Sequence, residues 1–429
     1  MKVAFHIHND NCTSVDFSHI EDGNPGVGGS LNSHVLIPTV LQKRGIVECV
    51  LLCNKEGRFD DAIKQEIVVN SRGALAYCDS HKDIDLIVFD AKCVTTDDIE
   101  AFPSVKVILW SHNFISFRIL RRLGKLNNVL RIVNVGREYN DLYRDMPVFN
   151  KSTYIFNSFN LAAISPYQRN LPSFETRPHH VVYIGSLIPV KGFHLLARAW
   201  QMVKRSVPDA ELFVIGGGNL YNRNSKLGRW GIADEKYEEE FIPYLLEEGK
   251  IRKDVHFLGV LGPEKYEVFK HCRVGVANPS GLSETFGNGA VEMQLMGCNV
   301  TTIKCCGYLD SVYNNNKLYS NTKYLADYII RLMDGEADPY SDVYRYIESN
   351  FSLEKIIEKW EHLFLSDLCK SIEVQLLGND DLNYHNKKLK EWIRLHIPEK
   401  IREYFVPIEW FYPSPFVKIA YRLRKVVVV

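Results

Sequence analysis

Residues 274–303, VGVANPSGLSETFGNGAVEMQLMGCNVTTI, decide the fold of this chain. Their pattern predicts a strand, a glycine-rich loop, a helix and a second strand, in that order. We expect Asn288 to cap the helix, which runs to about Met296 and is closed by Gly297. A short apolar strand that leads through a helix to another apolar strand is typical of a parallel α/β sheet.

The loop of this stretch combines an anion-binding feature with two carboxylates. The backbone N–H groups around Phe286, Gly287 and Asn288 can point at an anion, because a glycine-rich turn that opens a helix lets the ligand come close. Glu284 and Glu292 flank that position. Ionised carboxylates only accept hydrogen bonds, so their natural partners are hydroxyl groups. A nucleotide-sugar, with a central diphosphate and a hydroxylated ring on each side, satisfies both features.

The rest of the chain repeats this alternation of strands and helices. The expected strands are KVAFHIH, VECVLLC, DLIVFD, VKVILW and TYIFN in the first half, and VVYIG, ELFVIGGG, VHFLG, VGVANPS and NVTTI in the second. Residues 165–180 interrupt the pattern with three prolines and predict an interdomain linker. The predicted fold class is therefore α/β, with two Rossmann-like domains, residues 1–170 and 171–350, facing each other across a cleft.

A second glycine-rich turn, DGNPGVGGS at residues 22–30, follows the first expected strand. We expect Ser30 to cap a helix whose apolar residues recur at helical spacing and which Gly45 ends. Gly28 and Gly29 can serve the turn alone or can also contribute to a phosphate site, and the two roles are compatible.

The bulk composition excludes several classes of protein. The 429 residues exceed one ordinary core, and the formal net charge of +0 gives no reason to expect nucleic acid as a partner. No apolar run reaches the roughly 18 residues of a membrane-spanning helix, and the N-terminus lacks the layout of a signal peptide. The ten cysteines form no paired C-x2-C sets, so we expect neither zinc nor disulfides and place the protein in the cytoplasm.

One acidic pair has an alternative reading. Asp83 and Asp85 form an Asp-x-Asp sequence of the kind that binds a metal in transferases of another fold. The pair precedes the strand LIVFD and therefore lies at the wrong end of the sheet for a ligand. We interpret it as a solvated turn.

Two segments carry a resemblance to a known family. VVYIGSLIPVKGFHLLARAW, residues 181–200, followed by NPSGLSETFGNGAVEMQLMGCNVTT, resembles the C-terminal domain of retaining glycosyltransferases of family 4, which have the GT-B fold. The resemblance extends through GNPGVGGSLNSHVLIPTVLQKRG and WSHNF in the first half, and it covers roughly residues 1–365. It implies an acceptor-binding first domain and a donor-binding second domain.

The resemblance also implies roles for the charged motif residues. Glu284 matches the first motif glutamate, which contacts the hydroxyl groups of the transferred sugar, and Glu292 matches the second, which binds the ribose of the nucleotide. Lys191 matches the lysine that neutralises the diphosphate. The alternatives are a surface carboxylate and a helix cap for the glutamates, and a solvated turn for Lys191.

The resemblance also assigns uncharged residues to the donor site. Gly28 and Gly29 match the loop that approaches the diphosphate from the first domain, and His112 matches a histidine near the donor sugar. Leu261 matches the position at which backbone groups of the family contact the base of the nucleotide. For His112 a structural role stays open. Ser186 is a departure, because the family commonly has arginine there, so one phosphate-neutralising charge is missing or supplied elsewhere.

These matches imply a retaining, metal-independent glycosyltransferase that needs no cofactor besides its nucleotide-sugar substrate. The expected acceptor is a hydroxyl group of a glycan or a lipid-linked glycan. Two alternatives stay open. One is another GT-B enzyme, such as a nucleotide-sugar epimerase or a glycan phosphorylase, and the other is a non-catalytic protein that binds nucleotide-sugars.

The last part of the chain has a different composition. Residues 351–368 predict a helix that crosses back to the first domain, and residues 369–429 form a basic, aromatic tail. From Lys387 to Lys425 the chain has a net charge of +6, interleaved with aromatic residues such as Trp392 and Tyr404. This composition favours contact with an anionic membrane surface at the inner face of the cell membrane. The alternative is a helix packed back on the protein.

Overall fold

The computed structural model describes residues 1–220, 225–366, 368, 370, 377 and 382–404. These residues form two parallel sheets that are covered by helices, and a cleft lies between the sheets. The predicted α/β class with two Rossmann-like sheets is confirmed.

The first domain is built on a seven-stranded parallel sheet in the order β3-β2-β1-β4-β5-β6-β7. Its strands are β1 Lys2–Ile7, β2 Glu48–Cys53, β3 Lys64–Ile67, β4 Leu86–Asp90, β5 Val107–Ser111, β6 Val129–Asn134 and β7 Ser152–Tyr154. Its helices are α1 Gly29–Arg44, α2 Ser71–Ser80, α3 Thr96–Ala101, α4 Phe117–Lys125, α5 Arg137–Asp141 and α6 Leu161–Gln168. The central strands are near-continuous apolar runs, as in β4, because helices cover both faces of the sheet. In the register of β1 and β2, Ala4 pairs with Val50.

The second domain is built on a five-stranded parallel sheet in the order β10-β9-β8-β11-β12. Its strands are β8 His180–Ile184, β9 Glu211–Ile215, β10 Val255–Gly259, β11 Val274–Ala277 and β12 Asn299–Thr301. Its helices are α7 Phe193–Ser206, α8 Glu235–Phe241, α9 Lys265–Phe269, α10 Asn288–Leu295, α11 Cys306–Ser311 and α12 Leu325–Asp334. The carboxyl ends of β8, β9 and β11 open onto the cleft, because the residues that follow these strands line it.

The C-terminal helices are α13 Tyr340–Phe351, α14 Leu353–Leu365, α15 Tyr384–His396 and α16 Glu399–Arg402. Helix α14 packs on the first domain, where Trp360 is fully buried and its ring centroid lies 4.7 Å from that of Trp110. Within residues 351–368, where we expected a helix, the structure has the last residue of α13 and the whole of α14. None of the helices in the described ranges has the length and apolar composition that crossing a bilayer requires.

Some local predictions were wrong. Strands β3 and β6 were not expected, because the edge strand KQEI is polar and VLRIVN carries a central arginine. The predicted linker at residues 165–180 is partly helical, since α6 continues to Gln168 and a short 3-10 helix spans Phe174–Thr176. Pro166 lies inside α6, where it cannot donate a backbone hydrogen bond, and the helix ends two residues later at Gln168.

The caps of two helices also differ from the prediction. Helix α1 begins at Gly29 and its N-cap is Gly28, so Ser30 already lies inside the helix. Helix α10 begins at Asn288 and its N-cap is Gly287, which has φ of 92°. This left-handed conformation favours glycine and shifts the cap by one residue. Asn288 is therefore the first residue of α10.

The described part of the tail packs back on the first domain, and two of its cations face the protein instead of solvent. Lys387 and Lys390 on α15 are 3% and 4% exposed. Lys387 forms ion pairs with Glu138 and with Asp141, the latter at 2.9 Å. These two charges are therefore used inside the protein, whereas Lys388 and Lys400 of the same segment are exposed. The aromatic residues from Phe405 onward lie outside the described residues.

The same acidic region joins the two domains. The backbone N–H of Glu138 on α5 donates to Asp310 Oδ2 on α11 at 2.9 Å. Burial, and then the neighbouring Glu138, raise the pKa of the Asp310 carboxyl group to about 8. The carboxyl group is therefore protonated in the folded protein near neutral pH, whereas it is ionised in the unfolded chain.

Asp310→Asn is expected to raise the melting temperature by an amount that grows from about pH 4 to about pH 8. Because the folded-state pKa is raised, the wild-type protein loses stability as the pH rises through this window, and asparagine has no proton to lose. The amide oxygen of asparagine can still accept the N–H of Glu138. Thermal melts of both proteins between pH 4 and pH 9 measure the effect. Asp342→Asn, at a carboxylate on α13 whose side chain is 43% exposed, is the control. A difference that does not change with pH would contradict the prediction.

Candidate active site

The cleft between the two domains has a cavity volume of about 520 Å³, within the range of ligand pockets. The structure brings every site residue expected from the sequence to its wall. These residues are Gly28, Gly29, His112, Ser186, Lys191, Leu261, Glu284, Phe286, Gly287, Asn288 and Glu292.

The start of α10 forms the anion-binding feature. Gly287 has a left-handed backbone, and a Cβ atom at this position would overlap the ring of Tyr308. No side chain caps the helix, so its first N–H groups keep their capacity to bind a ligand at the cleft wall. Two features therefore favour an anion here, the unsatisfied N–H groups and the positive end of the helix dipole.

Glu284 is paired with Lys191 in the cleft wall. Lys191 Nζ lies 2.8 Å from Glu284 Oε2, and Asn278 Nδ2 donates to the same oxygen at 3.0 Å. Both charged side chains are mostly buried, at 19% and 13% exposure for Lys191 and Glu284. The carboxylate is thus oriented by two donors, and an ammonium group lies beside the anion-binding helix start.

Glu292 is paired with a second lysine. Lys265 Nζ lies 2.6 Å from Glu292 Oε1, and the hydroxyl group of Tyr266 donates to the same oxygen at 3.2 Å. Both carboxylates that flank the anion-binding helix start therefore have an ammonium partner, which explains how two anions can lie beside a site for a third.

His112 follows β5 and is buried against two aromatic rings. Its ring centroid lies 4.7 Å from that of Trp110 and 5.2 Å from that of His34. Burial, and then the nearby His34, lower the pKa of His112 to about 3, so the imidazole is neutral. Its Nε2 atom has no hydrogen-bond partner among the described residues. A neutral imidazole nitrogen at the cleft wall can accept a hydrogen bond from a sugar hydroxyl group, or donate one to it, depending on the tautomer.

The first domain touches the anion-binding region closely. A Cβ atom at Gly29 would lie 2.6 Å from Asn288 Nδ2, and Asn157 Nδ2 donates to Asn288 Oδ1 at 2.8 Å. Thr285, between the first glutamate and α10, donates its hydroxyl hydrogen to the carbonyl oxygen of His112 at 2.7 Å. Hydrogen bonds between the domains therefore hold the loop that carries the carboxylate.

Three of the expected residues contribute little side-chain polarity. Ser186 is 1% exposed and its hydroxyl group donates to the carbonyl oxygen of Gly217 at 3.2 Å. Phe286 is buried, and its ring lies 5.1 Å from that of Phe351. Leu261 is half-buried in the cleft wall. The arginine that we expected the resemblance to place at position 186 is replaced by this uncharged serine.

Sequence reasoning missed several residues that orient the expected ones. Asn278 directly follows the strand β11, and Lys265 and Tyr266 open α9 after the loop that follows β10. The signal that could have found them was available, because polar residues that follow the carboxyl ends of parallel strands meet at one edge of a sheet. Thr285 had no such signal, since its partner is 173 residues away in the sequence.

Metal-binding side chains do not cluster in the described residues, where no group of three or more His, Cys, Asp or Glu could hold a metal ion. The Asp-x-Asp pair is engaged by Lys2, whose Nζ lies 2.9 Å from Asp83 and whose backbone N–H donates to Asp85. The cysteines in the described ranges are free thiols.

Residues 168–349 match the sequence profile of the family described as "Glycosyl transferases group 1". A curated relative, an "Uncharacterized glycosyltransferase" of Haemophilus influenzae, is 22% identical over 272 residues, which cover 60% of this chain and 69% of the relative.

Two solved structures are similar in fold. Sucrose-phosphate synthase from Thermosynechococcus elongatus superposes with a TM-score of 0.58 at 15% identity, over 85% of this chain and 98% of that one. A glycosyltransferase from Rickettsia africae ESF-5 gives a TM-score of 0.58 at 12% identity, over 85% and 99%. At such identities the likeness concerns the fold, and the fold is GT-B.

Proposed function

With residues 168–349 as a glycosyltransferase group 1 domain within a GT-B fold, we propose that the protein is a retaining glycosyltransferase of family 4. It transfers a sugar from a nucleotide-sugar donor to a hydroxyl group of a glycan or lipid-linked glycan, on the cytoplasmic side. It needs no cofactor besides the donor and no metal ion.

One arrangement carries this proposal, the uncapped start of α10 with a lysine–glutamate pair on either side. Glu284 with Lys191 lies on one side, and Glu292 with Lys265 on the other, along the same cleft wall. The helix start suits a diphosphate, and the carboxylates suit the hydroxyl groups of a sugar and a ribose. A nucleotide-sugar is the ligand with this order of groups.

The chemistry required of these side chains is electrostatic. Negative charge builds on the diphosphate as its bond to the sugar breaks. The N–H groups of α10 together with Lys191 stabilise this charge. Glu284 holds the hydroxyl groups of the sugar, and the neutral His112 offers a further hydrogen bond at the cleft wall. Because the domains meet around the ligand, water that would hydrolyse the donor is excluded. Retention follows if the acceptor hydroxyl group attacks the anomeric carbon on the face from which the diphosphate departs and gives its proton to the departing diphosphate oxygen.

A binding screen tests the donor first. UDP, GDP, ADP, CMP and their common sugar conjugates are titrated into the protein by calorimetry, and one nucleotide series is expected to bind. The preferred nucleotide-sugar is then incubated with and without candidate glycan acceptors. Nucleotide released only with acceptor identifies a transferase, and a product with the donor's anomeric configuration identifies retention. Failure of every nucleotide to bind would contradict the proposal.

One observation favours a second candidate, a non-catalytic protein that binds nucleotide-sugars. The hydroxyl group of Ser186 is committed to a backbone carbonyl group, so the cation that the family commonly places here is missing. A site with less positive charge can bind a donor without turning it over. Binding without acceptor-dependent release in the same screen would identify this function. An epimerised sugar formed from the nucleotide-sugar would identify an epimerase, and sugar phosphate formed from a glycan and added inorganic phosphate would identify a phosphorylase.

We also propose that the protein contacts a membrane surface, through an apolar row on the C-terminal helices. Helix α15 turns its charged face to the protein, so the opposite face carries exposed apolar residues. Leu389, Trp392 and Leu395 are 49%, 52% and 63% exposed, and farther along the chain Ile401 and Tyr404 are 50% and 82% exposed. A lipid interface takes up such side chains, and tryptophan and tyrosine favour its headgroup level.

The double substitution Trp392→Ser and Leu395→Ser is expected to lower partitioning onto lipid vesicles by about tenfold or more, because two large apolar side chains leave the interface. Cosedimentation with vesicles of phosphatidylcholine, with and without phosphatidylglycerol, measures it. Leu365→Ser on α14, where the leucine is 66% exposed, is the matched control. Binding that does not change in the double variant would show that this row does not meet lipid.

A further inference from the structure

The second lysine–glutamate pair of the cleft has an asymmetry. Lys265 and Tyr266 both bond to Oε1 of Glu292. Oε2 of the same carboxylate makes no hydrogen bond with any residue that the structure describes. One oxygen of Glu292 is therefore fixed by the protein, and the other remains able to accept a hydrogen bond.

The two partners come from adjacent residues at the start of a helix. Lys265 and Tyr266 are the first two residues of α9, which follows the loop that carries Leu261, and Glu292 lies in the middle of α10. Both ionic side chains are nearly buried, with 7% exposure for Lys265 and 11% for Glu292. Two bonds from one helix to one oxygen fix the rotation of the carboxylate group.

Stability alone does not account for this pair. Two buried charges have to be removed from water, and apolar residues of similar volume often serve a fold equally well. The pair also lies in the wall of a cavity, where Glu292 and Lys265 are both lining residues. A carboxylate with one free oxygen in that position suits a ligand that donates hydrogen bonds.

We propose that Lys265 is a positioning residue that selects ribose-containing nucleotides. It holds Oε1 of Glu292, so that Oε2 accepts hydrogen bonds from the vicinal hydroxyl groups of the ribose. This inference rests on the proposed function, because that function assigns the ribose to Glu292. It adds the residue that orients the carboxylate, and it predicts that the protein distinguishes ribose from a sugar without hydroxyl groups.

Calorimetric titration of UDP, GDP and ADP, each beside its 2′,3′-dideoxy counterpart, tests the inference. For the base that binds, the wild-type protein is expected to prefer the ribose form by about tenfold or more, as a hydrogen bond to a charged group implies. In Lys265→Met the preference is expected to fall close to one, while affinity for the dideoxy form stays within about threefold. Lys270→Met is the matched control, since this lysine of the same region pairs with Glu267.

A second variant covers the case in which Lys265→Met does not fold. Tyr266→Phe keeps the ion pair and removes only the other bond to Oε1, so it is expected to lose part of the ribose preference. An unchanged preference in Tyr266→Phe, or a Lys265→Met protein that binds both forms more weakly at the wild-type ratio, would overturn the inference. A wild-type protein that binds diphosphates without ribose preference would overturn it too, and one that binds no nucleotide would overturn the proposed function itself.

Discussion

Replacing Lys191 with methionine is expected to lower the rate of sugar transfer by about 10²-fold or more. Its ammonium group lies 2.8 Å from Glu284, beside the start of α10. When the donor binds there, the ammonium group faces the charge that develops on the diphosphate. Its loss has two consequences, because the leaving group loses a cation and Glu284 becomes an unpaired anion next to it.

Single-turnover rates with saturating donor measure this effect apart from donor affinity. Lys253→Met, an exposed site in the same domain, is the control and is expected to leave the rate unchanged. The double variant Lys191→Met with Glu284→Gln removes the unpaired anion. It is expected to lose less than the product of the two single losses, because the side chains act as a pair. A rate equal to that of the wild-type protein would show that Lys191 only stabilises its turn.

Glu284→Gln is expected to reduce transfer by about 10- to 100-fold while leaving the affinity for the bare nucleoside diphosphate within about threefold. The carboxylate is proposed to hold hydroxyl groups of the sugar, and a nucleoside diphosphate has no such sugar. Glutamine keeps the shape of the side chain and one acceptor oxygen but removes the charge that strengthens these bonds.

The opposite result is expected for Glu292→Gln, which should lower the affinity for the bare nucleoside diphosphate. Calorimetry with the diphosphate and turnover with the complete donor together distinguish the two carboxylates. If both variants bind and transfer as the wild-type protein does, the assignment of sugar to one glutamate and ribose to the other is wrong. If both lose diphosphate affinity equally, the two carboxylates act on the same part of the ligand.

The sheets and the cleft could be predicted because they depend on local patterns. Buried parallel strands are short apolar runs, and the turns after them are rich in glycine, so the sequence shows both the elements and the edge where ligands bind. The strand Lys64–Ile67 was not predicted, because it is an edge strand and an edge strand can be polar. The start of α10 was displaced by one residue, because Gly287 has a left-handed backbone and takes the N-cap position that the pattern assigned to Asn288.

The partners of the charged residues could not be predicted, because they are distant in sequence. The glutamate motif shows where carboxylates lie, but Lys191 meets Glu284 across 93 positions of the chain. The composition predicted a basic tail, but it could not show that Lys387 forms ion pairs with Glu138 and Asp141. A surplus of positive charge in one segment has two physical outcomes, an external anion or an internal one, and only the three-dimensional contacts distinguish them.

The ion pairs of Lys387 affect how the chain folds as it is made. Lys387 is 249 residues downstream of Glu138, and ribosomes add about 5–20 residues per second, so about 10–50 s separate the two during synthesis. Through this interval the first domain has its strands but lacks the Lys387 counter-charge of Glu138, whereas Asp141 already has Arg144 at 2.7 Å. Since an unpaired buried charge is strongly unfavourable, the carboxylate of Glu138 stays in water until the C-terminal helix emerges. A nascent chain that stops before residue 387 therefore leaves this surface open, where chaperones and proteases act on incomplete proteins.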